Sequence, residues 1–180
     1  IGIINKGVKQ RPYIAAALVK HVKITENQLV YLMNAQEKMH ETIGRKRRKI
    51  AIGIHDAKDI KLPLEYGEVN KGKFIPLGYK KEMTLEEILE KHTKGIKYAN
   101  LIKKPKYPIV KDELGIISLP PIINAERTKL CPGEKNIIIE ITGTHREMVD
   151  SVLNIIASVF YDLGGKVIIL TEKNTESKIK

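Results

Sequence analysis

The sequence predicts an α/β (α+β) domain built on a mixed, largely antiparallel sheet flanked by helices. Three observations carry this. Strand-like segments outnumber helical ones, the two kinds do not alternate as they would in a doubly wound parallel sheet, and the helical segments open with recognisable capping signatures. At 180 residues and 42% apolar composition the chain fits one compact domain, residues 1–180, with enough apolar side chains for a sizeable core.

In chain order, RPYIAAALVKHVK (Arg11 to Lys23) is apolar and Ala-rich and reads as a strand, with Pro12 placed where an edge strand or a strand start tolerates a missing donor. Thr25 and Gln28 form a capping box. Behind it Leu29, Leu32, Met33, Gln36, Met39, His40 and Ile43 recur at helical spacing as far as Gly44. The basic run Arg45 to Lys49 then feeds an alternating strand, IAIGIH, which ends on His55. The segment from Lys61 to Glu82 carries the Gly and Pro punctuation of loops and short strands. Thr84 with Glu87 caps a second helix, LEEILEKH. Tyr107 to Leu119 reads as a hairpin around Asp112 and Gly115, ended by Pro120 and Pro121. IIN (residues 122–124) opens the polar turn NAERT, and Asn136 to Thr142 is a strong strand. A third helix is expected from Thr144, boxed with Glu147, through Val149, Val152, Ile156, Val159 and Leu163 to Gly164 and Gly165, followed by the strand KVIIL. Residues 172–180 are expected to be a frayed tail.

The net charge of +11, from 32 Lys and Arg against 21 Asp and Glu, favours polyanionic partners such as nucleic acid, although a charge-rich, heat-adapted composition accounts for it equally well. The single cysteine, Cys131, rules out an intrachain disulfide and a Cys cluster for zinc, and fits a reducing cytoplasm. No run approaches the roughly 18 consecutive apolar residues of a membrane span, and no signal-peptide core opens the chain. Its start at Ile1, without Met, leads to the expectation of a piece excised from a longer polypeptide. The absence of Trp and the low aromatic content argue against a single-strand binder that stacks bases on exposed rings.

Several side chains stand out. Gln36 shares the apolar helical stripe, so its amide either caps a backbone group in the core or faces a pocket. Glu140 interrupts the run Ile137, Ile138, Ile139, Ile141, where an unpaired carboxylate is costly; either a Lys or Arg neutralises it or it lines a cavity. His55, followed by Asp56, is read as a site residue at a strand end, a half-exposed surface histidine, or one ligand of a metal site; the other histidines lack the spacing to complete such a site, and no metal is expected. Arg45, Lys46, Arg47 and Arg48 are either a solvated turn or a grip on phosphates. Asn124, Glu126, Arg127 and Thr128 form a polar turn that either holds a ligand or needs none. The G-x-S-x-G, phosphate-loop, G-x-G-x-x-G and H-E-x-x-H templates are all missing, and Cys131 has no evident activating partner.

Taken together, RPYIAAALV (residues 11–19), QEKMHETIGRKRRKIAIGIHD (36–56), FIPLGYKKEMTLEEILEKHTKG (74–95), LPPIINAERT (119–128) and IIIEITGT (137–144) resemble the beta subunit of archaeal and eukaryotic phenylalanyl-tRNA synthetase, in the family's order. Two positions depart from the family pattern: Ala125, where Ser is frequent, and Ala57, where Leu is common. The resemblance implies an editing domain that hydrolyses tyrosine mischarged onto phenylalanine tRNA. It also implies a cytoplasmic heterotetramer whose alpha subunit holds the synthetic site with its ATP and Mg, the editing domain itself needing no cofactor. On that resemblance His55 and Asn124 are the expected catalytic residues, and Gln36, Glu140, Thr142 and Glu126 bind substrate. Glu140 accepts the tyrosine phenol hydrogen, His55 orients or deprotonates water, and Gln36 and Asn124 hold the amino group and carbonyl. Arg45, Arg47 and Arg48 contact tRNA. The competing expectation is a non-catalytic module that contacts RNA or packs inside the synthetase.

Overall fold

The computed structural model describes residues 2–175. Its elements run β1 (Ile3–Asn5), β2 (Tyr13–Ile24), α1 (Glu26–Glu41), β3 (Ile50–Asp56), β4 (Leu64–Val69), β5 (Lys73–Phe74), β6 (Met83–Thr84), α2 (Leu85–Lys91), α3 (Thr93–Tyr98), β7 (Tyr107–Asp112), β8 (Gly115–Leu119), β9 (Ile123–Asn124), β10 (Gly133–Gly143), α4 (Arg146–Asp162), β11 (Lys166–Ile169) and β12 (Glu172–Asn174). The expected mixed, largely antiparallel architecture is present, divided between two principal sheets. One has the order β12-β1-β4-β7-β8-β9 and the other β11-β2-β10-β3, with β5 and β6 a separate ribbon. Among the described residues only the pairings of β1 with β12 and β4 are parallel.

Alternation along β10 decides what each sheet face meets. Ile137, Ile139 and Ile141 pack with Val149, Val152, Ile156 and Phe160 of α4. Ile138 points the other way, joining Ile14 and Ala16 of β2 against Leu64, Tyr66, Val110 and Ile117 of the six-stranded sheet. Glu140 and Thr142 have the parity of Ile138 and therefore lie on this inner face, between the sheets.

The capping boxes at Thr25–Gln28 and Thr84–Glu87 form as the sequence predicts, each with its reciprocal pair of hydrogen bonds. The hairpin of β7 and β8 turns where expected because Asp112 Oδ1 accepts the N–H groups of Leu114 (2.9 Å) and Gly115 (3.1 Å). Two expectations need correction, and the open alternative at Pro12 is decided. The third helix starts at Arg146, and His145 is its N-cap with no side-chain capping bond; Thr144 Oγ1 contacts His145 Nδ1 at 2.9 Å instead of boxing with Glu147. Pro12 marks a strand start and not an edge, because β2 lies inside its sheet between β11 and β10. Within the expected tail, residues 172–174 form β12, held by Asn5 Nδ2 donating to Glu172 Oε1 (2.7 Å) and by Arg146 Nη2 on Glu172 Oε2 (2.9 Å); residues 176–180 lie outside the described part. The sequence also shows no sign of α3, which follows α2 after a single extended residue, His92.

Candidate functional site

Glu140 faces Gly53 on β3 and Ala16 on β2, the two smallest kinds of neighbour a strand can offer. The glycine is required. A Cβ at position 53 would lie 2.3 Å from Glu140 Oε1 and 2.8 Å from its Cγ, inside any tolerable contact. Glu140 is 2% exposed, and its Oε2 has no hydrogen-bond partner among the described residues. Its Oε1 lies 3.4 Å from His55 Nε2, while His55 Nδ1 lies 2.8 Å from Thr128 Oγ1. Among the described residues neither Lys nor Arg pairs directly with this carboxylate, so the neutralised-core alternative does not hold in that form there.

A cavity of about 400 Å³ opens beside this carboxylate, within the range of about 300–1,000 Å³ common for small-molecule sites. β3 and β10 supply one wall, with Glu140 and Thr142; α1 supplies a second, with Leu29, Met33 and Gln36; the turn around β9 supplies a third, with Ile122, Asn124, Thr128 and Leu130. β3 is an edge strand, so its outward backbone groups need partners. Two polar side chains on the inward stripe of α1 provide them: Gln36 Nε2 donates to Ile52 O (2.8 Å), and the Ile52 N–H donates to His40 Nε2 (2.8 Å). Gln36 thus both caps backbone and lines the cavity, leaving its amide oxygen free of any protein partner among the described residues.

The expected site residues separate into distinct groups. Gln36, Asn124, Glu140 and Thr142 converge on the cavity. His55 does not. It is fully buried behind Glu140, neither half-exposed nor part of the cavity wall, and so has no direct access to a water molecule held there. Glu126 also stays out of the wall and instead accepts the Gly78 N–H at 2.5 Å, bracing a loop whose glycine has φ +84°. Among the described residues no three His, Cys, Asp or Glu side chains lie together as a metal cluster.

The basic run is reorganised in the same way. Arg45, Lys46 and Arg47 all adopt left-handed backbone conformations, with φ of 46°, 55° and 66°. Arg11 holds this strained turn from beneath, donating to Arg47 O (3.1 Å), Arg48 O (3.3 Å) and both oxygens of Thr142 (2.9 and 3.1 Å). Burial pushes the Arg11 pKa down to about 10, against the partly opposing Glu140 charge. Arg47 is 4% exposed; it donates to Pro121 O (3.2 Å), Ile122 O (3.0 Å) and Glu37 Oε1 (2.5 Å), and its guanidinium lies 4.7 Å over the Tyr98 ring. These contacts tie the cavity walls together and place Arg47 in the lining, apart from the surface where a grip on phosphates by the whole run was expected. Arg45 and Arg48 remain exposed. Glu37 is held down to about pKa 2 by hydrogen bonding to His40 and by the Arg47 and Lys94 charges, which outweigh its partial burial.

Sequence reasoning passed over several contributors. Gly53 had a readable signal, a glycine in the middle of a strand. Lys94 and Lys129, which line the cavity, and Arg11 and Glu37 had none, because their placement depends on contacts between distant segments.

No family model matches the chain. Among curated proteins, the phenylalanine–tRNA ligase beta subunit of Methanococcus maripaludis (strain S2) is 52% identical over 163 residues, 88% of this chain and 29% of that protein. That of Methanocaldococcus jannaschii is 50% identical over 156 residues, 85% of this chain and 28% of its own length. A crystal structure of an N-terminal fragment of the phenylalanyl-tRNA synthetase beta subunit from Pyrococcus horikoshii superposes with a TM-score of 0.91 at 41% identity, covering 96% of this chain and 51% of that one. The chain belongs to the phenylalanine–tRNA ligase beta-subunit family. It spans less than a third of the length of the Methanococcus and Methanocaldococcus beta subunits and corresponds in fold to the N-terminal fragment of the Pyrococcus one. As a segment of a beta subunit it is homologous to part of a tRNA ligase, and the cavity with its buried carboxylate lies within that segment.

Proposed function

We propose that the cavity is a hydrolytic editing site that releases tyrosine from mischarged phenylalanine tRNA. The observation that carries this reading is the unpartnered Oε2 of Glu140, a buried acceptor at the wall of a cavity of about 400 Å³. A tyrosine phenol supplies the missing donor. Phenylalanine leaves the oxygen unpaired, at a cost of about 1–3 kcal/mol. Such a site is useful because a synthetic pocket shaped for an apolar ring rejects an added hydroxyl only weakly.

The reaction is attack of water on the ester carbonyl, with the terminal ribose oxygen as leaving group. The wall carries the hydroxyls of Ser118, Thr128 and Thr142, and the one beside a histidine, Thr128, directs its proton to the Ala125 carbonyl and not to the ring, so the protein contributes positioning and stabilisation of the developing oxyanion. Asn124, whose amide has no protein partner among the described residues, polarises the carbonyl. The free Gln36 oxygen accepts from the substrate ammonium. His55 holds Glu140 and does not touch water. Lys94 and Lys129 line the cavity with side chains 42% and 54% exposed, and they receive the phosphates of the tRNA end. In the intact enzyme the partner is an alpha subunit in a cytoplasmic heterotetramer, and ATP and Mg serve only the synthetic site there.

The test is release of tyrosine from Tyr-tRNA by the intact synthetase. Glu140→Ala is expected to lower the rate by about 5- to 150-fold relative to the unaltered enzyme, following the 1–3 kcal/mol above, while aminoacylation with phenylalanine continues. Unchanged release in Glu140→Ala, or none by either enzyme, identifies the segment as the non-catalytic RNA-contacting or packing module instead.

A further inference from the structure

Thr128, His55 and Glu140 form a line of hydrogen bonds from backbone to cavity, at 1%, 0% and 2% exposure. Thr128 Oγ1 lies 3.2 Å from the Ala125 carbonyl oxygen, a contact in which only the hydroxyl can donate. With its proton directed there, Oγ1 acts as acceptor toward His55 Nδ1 at 2.8 Å, and Nδ1 carries the proton. At the other side of the ring, Nε2 and Glu140 Oε1 are 3.4 Å apart. Two lone pairs would repel, so a proton lies between these atoms and Oε1 is committed to the ring. Whichever of the two holds that proton, Oε2 is left bare, and Gly53 and Ala16 on either side of Glu140 offer it no donor side chain.

We propose that Thr128 and His55 are positioning residues that hold Glu140 with Oε2 turned bare to the cavity, so that loss of the Thr128 hydroxyl weakens the hold on a para hydrogen-bond donor. This rests on the editing reading of the cavity and adds to it the two residues behind the carboxylate. A cavity that sorts by size treats 4-fluorophenylalanine much like tyrosine. A bare acceptor rejects it with phenylalanine and accepts 4-aminophenylalanine.

Calorimetric titration of the chain with tyrosine, 4-aminophenylalanine, 4-fluorophenylalanine and phenylalanine tests both levels. The two para-donors are expected to bind about ten-fold or more tighter than the other two, the factor that a single lost hydrogen bond of ~1.4 kcal/mol gives. Thr128→Val, close in shape but without the hydroxyl, is expected to lose about ten-fold for tyrosine with phenylalanine unchanged, and Thr128→Ser to keep the preference. Equal or undetectable binding of all four by the unaltered chain removes the editing reading itself. A preference intact in the unaltered chain and equally strong in Thr128→Val leaves that reading standing and overturns the relay. A long-range ¹H–¹⁵N correlation spectrum of the unaltered chain, which needs no variant to fold, is expected to show His55 Nδ1 protonated; a bare Nδ1 also overturns it.

Discussion

A single missing side chain makes room for the carboxylate on which the site depends. Glu140 occupies the space that a Cβ on Gly53 would take, so the two positions are sterically coupled across β3 and β10. Gly53→Ala forces the carboxylate to rotate away from His55 or the strands to separate, an overpacking of the kind that costs about 1–3 kcal/mol. The expected outcome is a loss of stability of that size in chemical denaturation, with a larger proportional loss of tyrosine binding than of phenylalanine binding. An alanine variant that keeps full selectivity would show that Glu140 is not held in this rotamer by its neighbour. Glu140 was legible in the sequence because a charge inside an isoleucine run has few explanations. The burial of His55 was not, since alternation places it on a face without saying what covers that face, and here the turn carrying Thr128 covers it.

At the scale of elements, α1 is tied to the rest of the fold mainly through polar side chains. Its buried residues are Leu32 and His40, whereas Val30, Tyr31 and Met33 are exposed by more than half. Gln36 and His40 engage the edge of β3, and Glu37 pairs with Arg47 at the far side of the cavity. Glu37 is depressed from 4.5 to about 2 in the folded chain, so its contribution to stability is fully present above pH 4.5 and is lost as pH falls toward 2. The expected behaviour is a fall in the denaturation midpoint across that window. Glu37→Gln starts lower at neutral pH and falls less steeply, and parallel curves for the two proteins would show that the pair does not anchor α1. The helix and its start were legible because Thr25 and Gln28 specify a capping box within four residues of chain. The break between α2 and α3 was not: it occurs at His92, with neither Gly nor Pro, where the His92 Nδ1 accepts the Lys94 N–H at 3.1 Å and starts a new helix. The start of α4 was misplaced because Thr144 satisfies the capping pattern in sequence while its hydroxyl turns to His145.

At the scale of the whole molecule, the cavity exists because two sheets and a helix meet, and no local pattern encodes that meeting. The same long-range packing sorts the basic run into roles that its spacing hid. Arg47 is consumed by backbone carbonyls, a carboxylate and an aromatic ring, while Arg45 and Arg48 remain at the surface of a turn that Arg11 stiffens. If the excess charge of +11 serves a tRNA partner, the two groups must respond oppositely to substitution. Each exposed cation on a phosphate releases about 0.7–0.9 counterions, so Arg48→Ala is expected to reduce the slope of log binding constant against log salt by about that much. Its denaturation midpoint should stay within about 0.5 kcal/mol of the unaltered chain, as for most surface substitutions. Arg47→Met leaves the Pro121 and Ile122 carbonyl groups without this donor, while Glu37 keeps His40 and Lys94, and it is expected to cost about 1–3 kcal/mol of stability, with no change in salt slope wherever the variant remains folded. Binding of phenylalanine tRNA measured across a salt series, beside denaturation of the same samples, separates these effects. A slope that falls with Arg47→Met and not with Arg48→Ala would mean that the buried arginine swings out to meet RNA and that the turn is a switch, not a brace.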